Sequence, residues 1–270
     1  MTIREKTKTR EVQKPFLNGT AIDERTPMNG LKMFGTVLLV LFVSLIVSLT
    51  ASFDNGILRT LINISVIILA LIIFFNNGSK KGAEDVAKGE ILWQRQENEK
   101  PFSESERRLC FHPMKGYVTG MIGLIPFFLI ALILALNTTV RTTDSGALPS
   151  WMQAYVSRSD IGDALVNYTN PQGMQVMDYL RAAVRLMILP FINIVGSSNN
   201  NGLLLIERLS PLIMLLPAAA YGTGYLTGRK IRTQVHTAIS ESERKRKRKE
   251  QKKHKTGNRP VQNREPEKLN

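Results

Sequence analysis

The chain has 270 residues, enough for one or two domains, and carries a formal net charge of +14. Its mean hydropathy of −0.07 is that of a soluble protein, yet its apolar residues lie in long blocks with the charges between them. That segregation excludes an ordinary soluble domain, which interleaves the two at the helix or strand period, and a single cysteine, Cys110, excludes an intrachain disulfide.

Residues 1–32 are polar and contain Pro15 and Pro27. No cleavable leader is legible there, so the first apolar block should act as an uncleaved anchor. That block, Met33 to Ser52, has no charge and is as long as a hydrocarbon core is thick. The turn Phe53-Asp54-Asn55-Gly56 leads to a second block, Ile57 to Phe75, interrupted by Arg59. Arg59 lies near one end, where a long side chain can snorkel to headgroups. The two blocks read as a tight helical hairpin.

Residues 76–116 are polar, with a surface helix expected over 84–99 that carries Trp93 to the interface. Cys110 and His112 stand side by side, but three histidines and one cysteine do not make a zinc site. The third block, Tyr117 to Leu136, contains Pro126, and Gly116 and Gly120 have the small-xxx-small spacing of close helix contacts. Residues 137–180 follow with only Arg141 and Arg158, and a short surface helix is expected over 150–166. Asn137 and Asn167 match the glycosylation acceptor pattern, but so do Asn18 and Asn63 in positions unsuited to it.

Residues 174–194 show helical apolar spacing with Asp178, Arg181 and Arg185 on one polar stripe. The apolar run after Arg185 is short and contains Pro190. Leu203 to Gly228 is long enough to span, with Glu207 and Arg208 near its start.

Charge bias then counts the crossings. Residues 1–32 hold 7 Lys/Arg, 76–116 hold 8, and 137–180 hold 2. Lys/Arg-rich segments stay in the cytoplasm. The tail, 229–270, holds 15 Lys/Arg against 5 Asp/Glu. An odd number of crossings must therefore return it after the third span. The fold expected is all-α: four spans, at 33–52, 57–75, 117–136 and about 207–228, with an interfacial or re-entrant helix at 174–197 and a disordered or helical basic tail. Both termini fall in the cytoplasm, and a bacterial plasma membrane fits the chain's size.

Two groups of residues carry functional expectations. The first is the basic run Arg244, Lys245, Arg246, Lys247, Arg248 and Lys249, continued by Lys252, Lys253 and Lys255. It suits anionic membrane lipid or an acidic partner. RNA or the ribosome is the alternative, in a sequence-blind mode because no aromatic residue lies among the charges. The second is Asp178, Arg181, Arg185, Glu207 and Arg208, in which the arginines would face Glu207 across a cavity. No phosphate loop, nucleophile–base pair or metal spacing is present, and no cofactor is implied. The reading that results is a non-enzymatic membrane scaffold or accessory subunit, with a membrane-protein partner or a second copy of itself. A solute transporter or channel subunit built on the arginine–glutamate group is the alternative.

Overall fold

A computed structural model describes residues 13–50, 56–138, 176–196 and 199–257, with isolated positions between 152 and 161. Apart from those positions, the expected helix at 150–166 lies outside the described residues, as does the acceptor site at Asn167. Regular structure among the described residues is entirely helical. The helices are α1 (Thr26–Thr50), α2 (Gly56–Glu97), α3 (Glu104–Arg108), α4 (Lys115–Asn137), α5 (Val176–Met187), α6 (Leu189–Val195) and α7 (Asn200–Gly257).

Four of them, α1, α2, α4 and α7, are long and apolar enough to cross a membrane. Their outward faces are apolar: Leu39, Phe42 and Leu49 on α1, and Leu61, Ile68 and Leu69 on α2, are exposed. A belt of this kind is unstable in water and natural in lipid.

Helix α1 starts where Asp23 and Thr26 bond reciprocally. The Asp23 amide donates to Thr26 Oγ1 at 2.9 Å, and that hydroxyl donates to Asp23 Oδ1 at 2.7 Å. Pro27 follows, its missing N–H costing nothing in a first turn. Helix α4 packs on α1 through the stacked rings of Phe34 and Phe127, 5.1 Å apart, and through Gly123 against Gly30 and Met33.

Helix α2 does not stop at the end of its apolar block. It runs 42 residues, about 63 Å, straight through Asn76-Asn77-Gly78. These are poor helix formers, and tertiary packing overrides their preference. A side chain at Gly78 or Gly82 would sit 2.1 Å from the carbonyl oxygen of Tyr221 or Tyr225 on α7. From the other side, Gly224 meets the Phe75 carbonyl and Gly228 meets Gly82. The backbones touch, and Ser79 locks the seam by donating to the Gly224 carbonyl (3.1 Å) and pairing with Thr227 (2.8 Å). The helix expected over 84–99 is thus the second half of α2 rather than a separate element.

Most of the turn of the expected hairpin, 53–56, lies outside the described residues. Helices α1 and α2 meet at few positions, because α6 lies against both. Asn193 on α6 donates to the Ser48 carbonyl and to Asn63 Oδ1, which also accepts from the Ser48 hydroxyl. The 174–197 region is two short helices, broken at Ile188 just before Pro190, and neither is long enough to cross. The order of packing is therefore α1 on α4, α4 on α7, and α7 on α2, with α5 and α6 filling the remaining gap.

The glycine seam gives a direct test. Gly224→Val forces a branched side chain against the Phe75 carbonyl and should destabilise the protein by about 1–3 kcal/mol or prevent assembly. Gly35 on α1 has nothing within 4 Å of its missing side chain, so Gly35→Ala should be neutral or stabilising by about 0.5–1 kcal/mol. Denaturant titration of both variants in mild detergent reads the contrast.

Candidate functional site

Polar residues gather at two ends of the bundle. The tail end is where α7 leaves the apolar zone, and the distal end is where α1 ends and α2 begins.

At the tail end the centre is Lys115, at the first turn of α4, with its side chain 3 % exposed. Its ammonium lies 2.6 Å from Asp23 Oδ2 and 3.7 Å from Asp85 Oδ2. It also donates to the carbonyls of Arg108 (3.1 Å) and Cys110 (3.2 Å). Asp85, on α2, is equally buried. Its Oδ1 faces Lys81 and Lys88 one turn to either side, and its Oδ2 accepts from the Tyr225 hydroxyl at 2.9 Å. A buried charge is tolerated only when paired and hydrogen-bonded, and each of these is. Four distant stretches of chain converge on one cluster.

The segment before α1 is strapped over it. The Leu17 amide donates to the Gly89 carbonyl and the Gly19 amide to the Phe111 carbonyl. Phe111 stacks on Tyr225 at 5.2 Å, Phe16 meets Phe111 edge-on, and the Arg229 guanidinium lies 5.5 Å over the Phe16 ring. Farther along, Glu90 on α2 pairs with Arg232 and with His236 Nε2 on α7. The two helices therefore stay fastened well beyond the apolar zone. The buried stripe of α7 passes from Tyr221 through Tyr225 and Gly228 to Thr233 and His236 at steps of three to five residues.

Burial would raise the Asp23 carboxyl, but hydrogen bonds from Lys115 and Thr26, with the lysine's charge, outweigh it and hold the group below its ordinary 3.8. Glu90 behaves alike: burial opposes its charge, and Arg232 and His236 hold it below 4.5. Burial pushes the Cys110 thiol up, which makes it a poor nucleophile. Among the described residues no three His, Cys, Asp or Glu side chains stand close enough to hold a metal ion.

At the distal end, Glu207 is 3 % exposed; it accepts a hydrogen bond from Arg185 Nε at 2.7 Å and forms an ion pair with Arg181, whose Nε lies 3.2 Å away. These three come together as a clamp between α5 and α7. Arg208 does not join them; it points outward and is exposed, and Asp178 is half-buried on α5. A carboxylate paired with two guanidinium groups fixes α5 in place against α7.

The basic run lies on α7. Residues 242–250 are all exposed, with Arg246 Nε 3.0 Å from Glu250. Lys252, Lys253 and Lys255 continue the same helix.

Asp23, Asp85, Glu90, Lys115, Tyr225, Arg232 and His236 had no place among the residues singled out in the sequence. Lys81, Asp85 and Lys88 do have the spacing of one helix face. The pairing of Lys115 with Asp23, across 92 positions, leaves no local trace. Comparisons with family models, curated proteins and solved structures return no match, so the reading of this protein rests on its own geometry.

Lys115→Met leaves the buried Asp23 carboxylate without its counter-ion and should cost about 3–5 kcal/mol, whereas Arg208→Gln should stay within about 0.5 kcal/mol. Denaturant midpoints in mild detergent distinguish them. The lowered Asp23 and Glu90 carboxyls stabilise the fold in their ionised forms. That contribution is complete above about pH 5 and is lost as pH falls through the depressed values, below about pH 4. The thermal midpoint should therefore drop on acidification, and Glu90→Gln should flatten part of the drop.

Proposed function

We propose that this protein is a non-enzymatic membrane scaffold that holds a basic helix away from the bilayer for an acidic macromolecular partner. The observation that carries this reading is the continuity of α7. One helix of 58 residues includes an apolar crossing segment, the stripe fastened to α2, and the basic run.

Distance decides between lipid and a partner in solution. Gly228 and Arg244 are 16 positions apart, about 24 Å along a helix. Attraction to the protein's own anionic lipid fades within a Debye length, about 8 Å at physiological salt. A stalk fixed to α2 through Glu90, Arg232 and His236 opposes folding back. Exposure all round the helix at 242–250 suits an enclosing acidic surface better than a flat one. The Lys/Arg bias of the first 32 residues, of 76–116 and of the tail supports a cytoplasmic location for both termini. The arginine–glutamate clamp, with its carboxylate buried and paired by two arginines, favours a structural role over a solute path.

A fluorophore at Ser242→Cys, with Cys110→Ser to remove the native thiol, tests the stand-off in nanodiscs that carry headgroup quenchers. Weak quenching, equal with and without phosphatidylglycerol, is expected. Strong quenching that depends on phosphatidylglycerol would place the tail on lipid and defeat the proposal.

A further inference from the structure

Helices α1 and α2 leave a fissure between them, and Arg59, which has no ion pair among the described residues, stands near its end. The fissure encloses about 80 Å³ and lies between α1, α2, α6 and α7, at the depth of the apolar segments. Val40, Ile67, Ala70, Pro190 and Pro217 line it, and the Ser44 hydroxyl is its one polar side-chain group. Its polar rim at the distal end is the Ser48–Asn63–Asn193 bridge, whose members satisfy one another.

Arg59 lies just beyond that bridge. It is half-buried, and its guanidinium rests against Gly196 at the end of α6. Its Nε is shielded from solvent and has no hydrogen-bond partner among the described residues. Arg181 and Arg232 share such an unbonded Nε, but each is paired with a carboxylate, Glu207 or Glu90, as Arg59 is not among the described residues. A guanidinium with a shielded, unbonded N–H favours an anionic acceptor, and a planar fork suits two oxygens of one phosphate. Arg59, Asn63, Ile67, Ala70 and Phe74 fall on one face of α2, three or four residues apart. The axial distance from Arg59 to Ala70 is about 16 Å, close to half of a hydrocarbon core of about 30 Å.

The geometry points to a built-in site for one anionic phospholipid of the protein's own bilayer, its phosphate on Arg59 and one acyl chain in the fissure between α1 and α2. The charge selects the headgroup, and the half-thickness match selects an acyl chain of the same leaflet over a polar solute. A helix from another protein is the wrong occupant: a helix is about 10 Å across, and the fissure encloses only about 80 Å³. The bound chain would fill the gap that keeps α1 off α2, so the lipid completes the bundle there.

The test uses the full chain in mild detergent, supplied with phosphatidylglycerol or phosphatidylcholine and examined by native mass spectrometry. Washing at about 0.5 M salt removes lipid held only by the exposed tail, since screening there leaves a Debye length of a few ångströms. One phosphatidylglycerol per chain should survive the wash, and phosphatidylcholine should not. Arg59→Gln should weaken retention about tenfold or more, and Ala70→Trp, which fills the fissure, should do the same. Arg59→Lys should retain part of it, and circular dichroism should show each variant as helical as the parent. Equal retention of the two lipids by the parent protein overturns the proposal without any variant. Unchanged retention in either Arg59→Gln or Ala70→Trp also overturns it, because headgroup and chain are claimed to bind together.

Discussion

The contact on which the structure depends is backbone against backbone, where Gly78 and Gly82 of α2 meet Gly224 and Gly228 of α7. Small residues let two helices approach until their carbonyls pack, and in lipid such van der Waals contact replaces the hydrophobic effect as the force that joins them. The seam lies at the end of the apolar zone, so it sets the direction in which both helices leave the membrane. Beyond it the binding changes in kind but not in partner. Tyr225 reaches Asp85, and Arg232 and His236 reach Glu90. A junction that begins as packing ends as charge-assisted hydrogen bonding, each used where its surroundings make it effective.

Lys115 gives the tail end its other three attachments. It brings the start of α4, the segment before α1 and the middle of α2 to one point. Removal of any one partner would leave a buried charge, so the cluster enforces one arrangement even if its net contribution to stability is small. Phe16, Phe111 and Tyr225 cover the cluster from water. The result is a rigid base, from which α7 alone continues as the basic helix.

The sequence disclosed the apolar crossing segments, because an uncharged block as long as a bilayer is thick has few other uses. It also disclosed that Arg181, Arg185 and Glu207 belong together, since intramembrane charges need partners and these were neighbours in the chain. The course of α2 was hidden for a physical reason. Asn76-Asn77-Gly78 reads locally as a helix end, and only the approach of Tyr221 explains why a glycine is needed inside a helix there. The Lys115 cluster was hidden because its members lie far apart in sequence and each is unremarkable among many surface charges. Arg208 misled for the converse reason: next to Glu207 in the chain, it points the other way on the helix.

Hydrogen exchange by mass spectrometry on the intact protein in nanodiscs tests most directly whether α2 and α7 form one fastened stalk outside the lipid. If they do, amides of residues 80–92 and 229–237 exchange nearly as slowly as those within the apolar segments, and protection falls beyond Ser240. Rapid exchange throughout 80–92 and 229–237, with the apolar segments still protected, would contradict it: the two helices would part at the membrane surface, and α7 could not hold its basic end at a fixed distance.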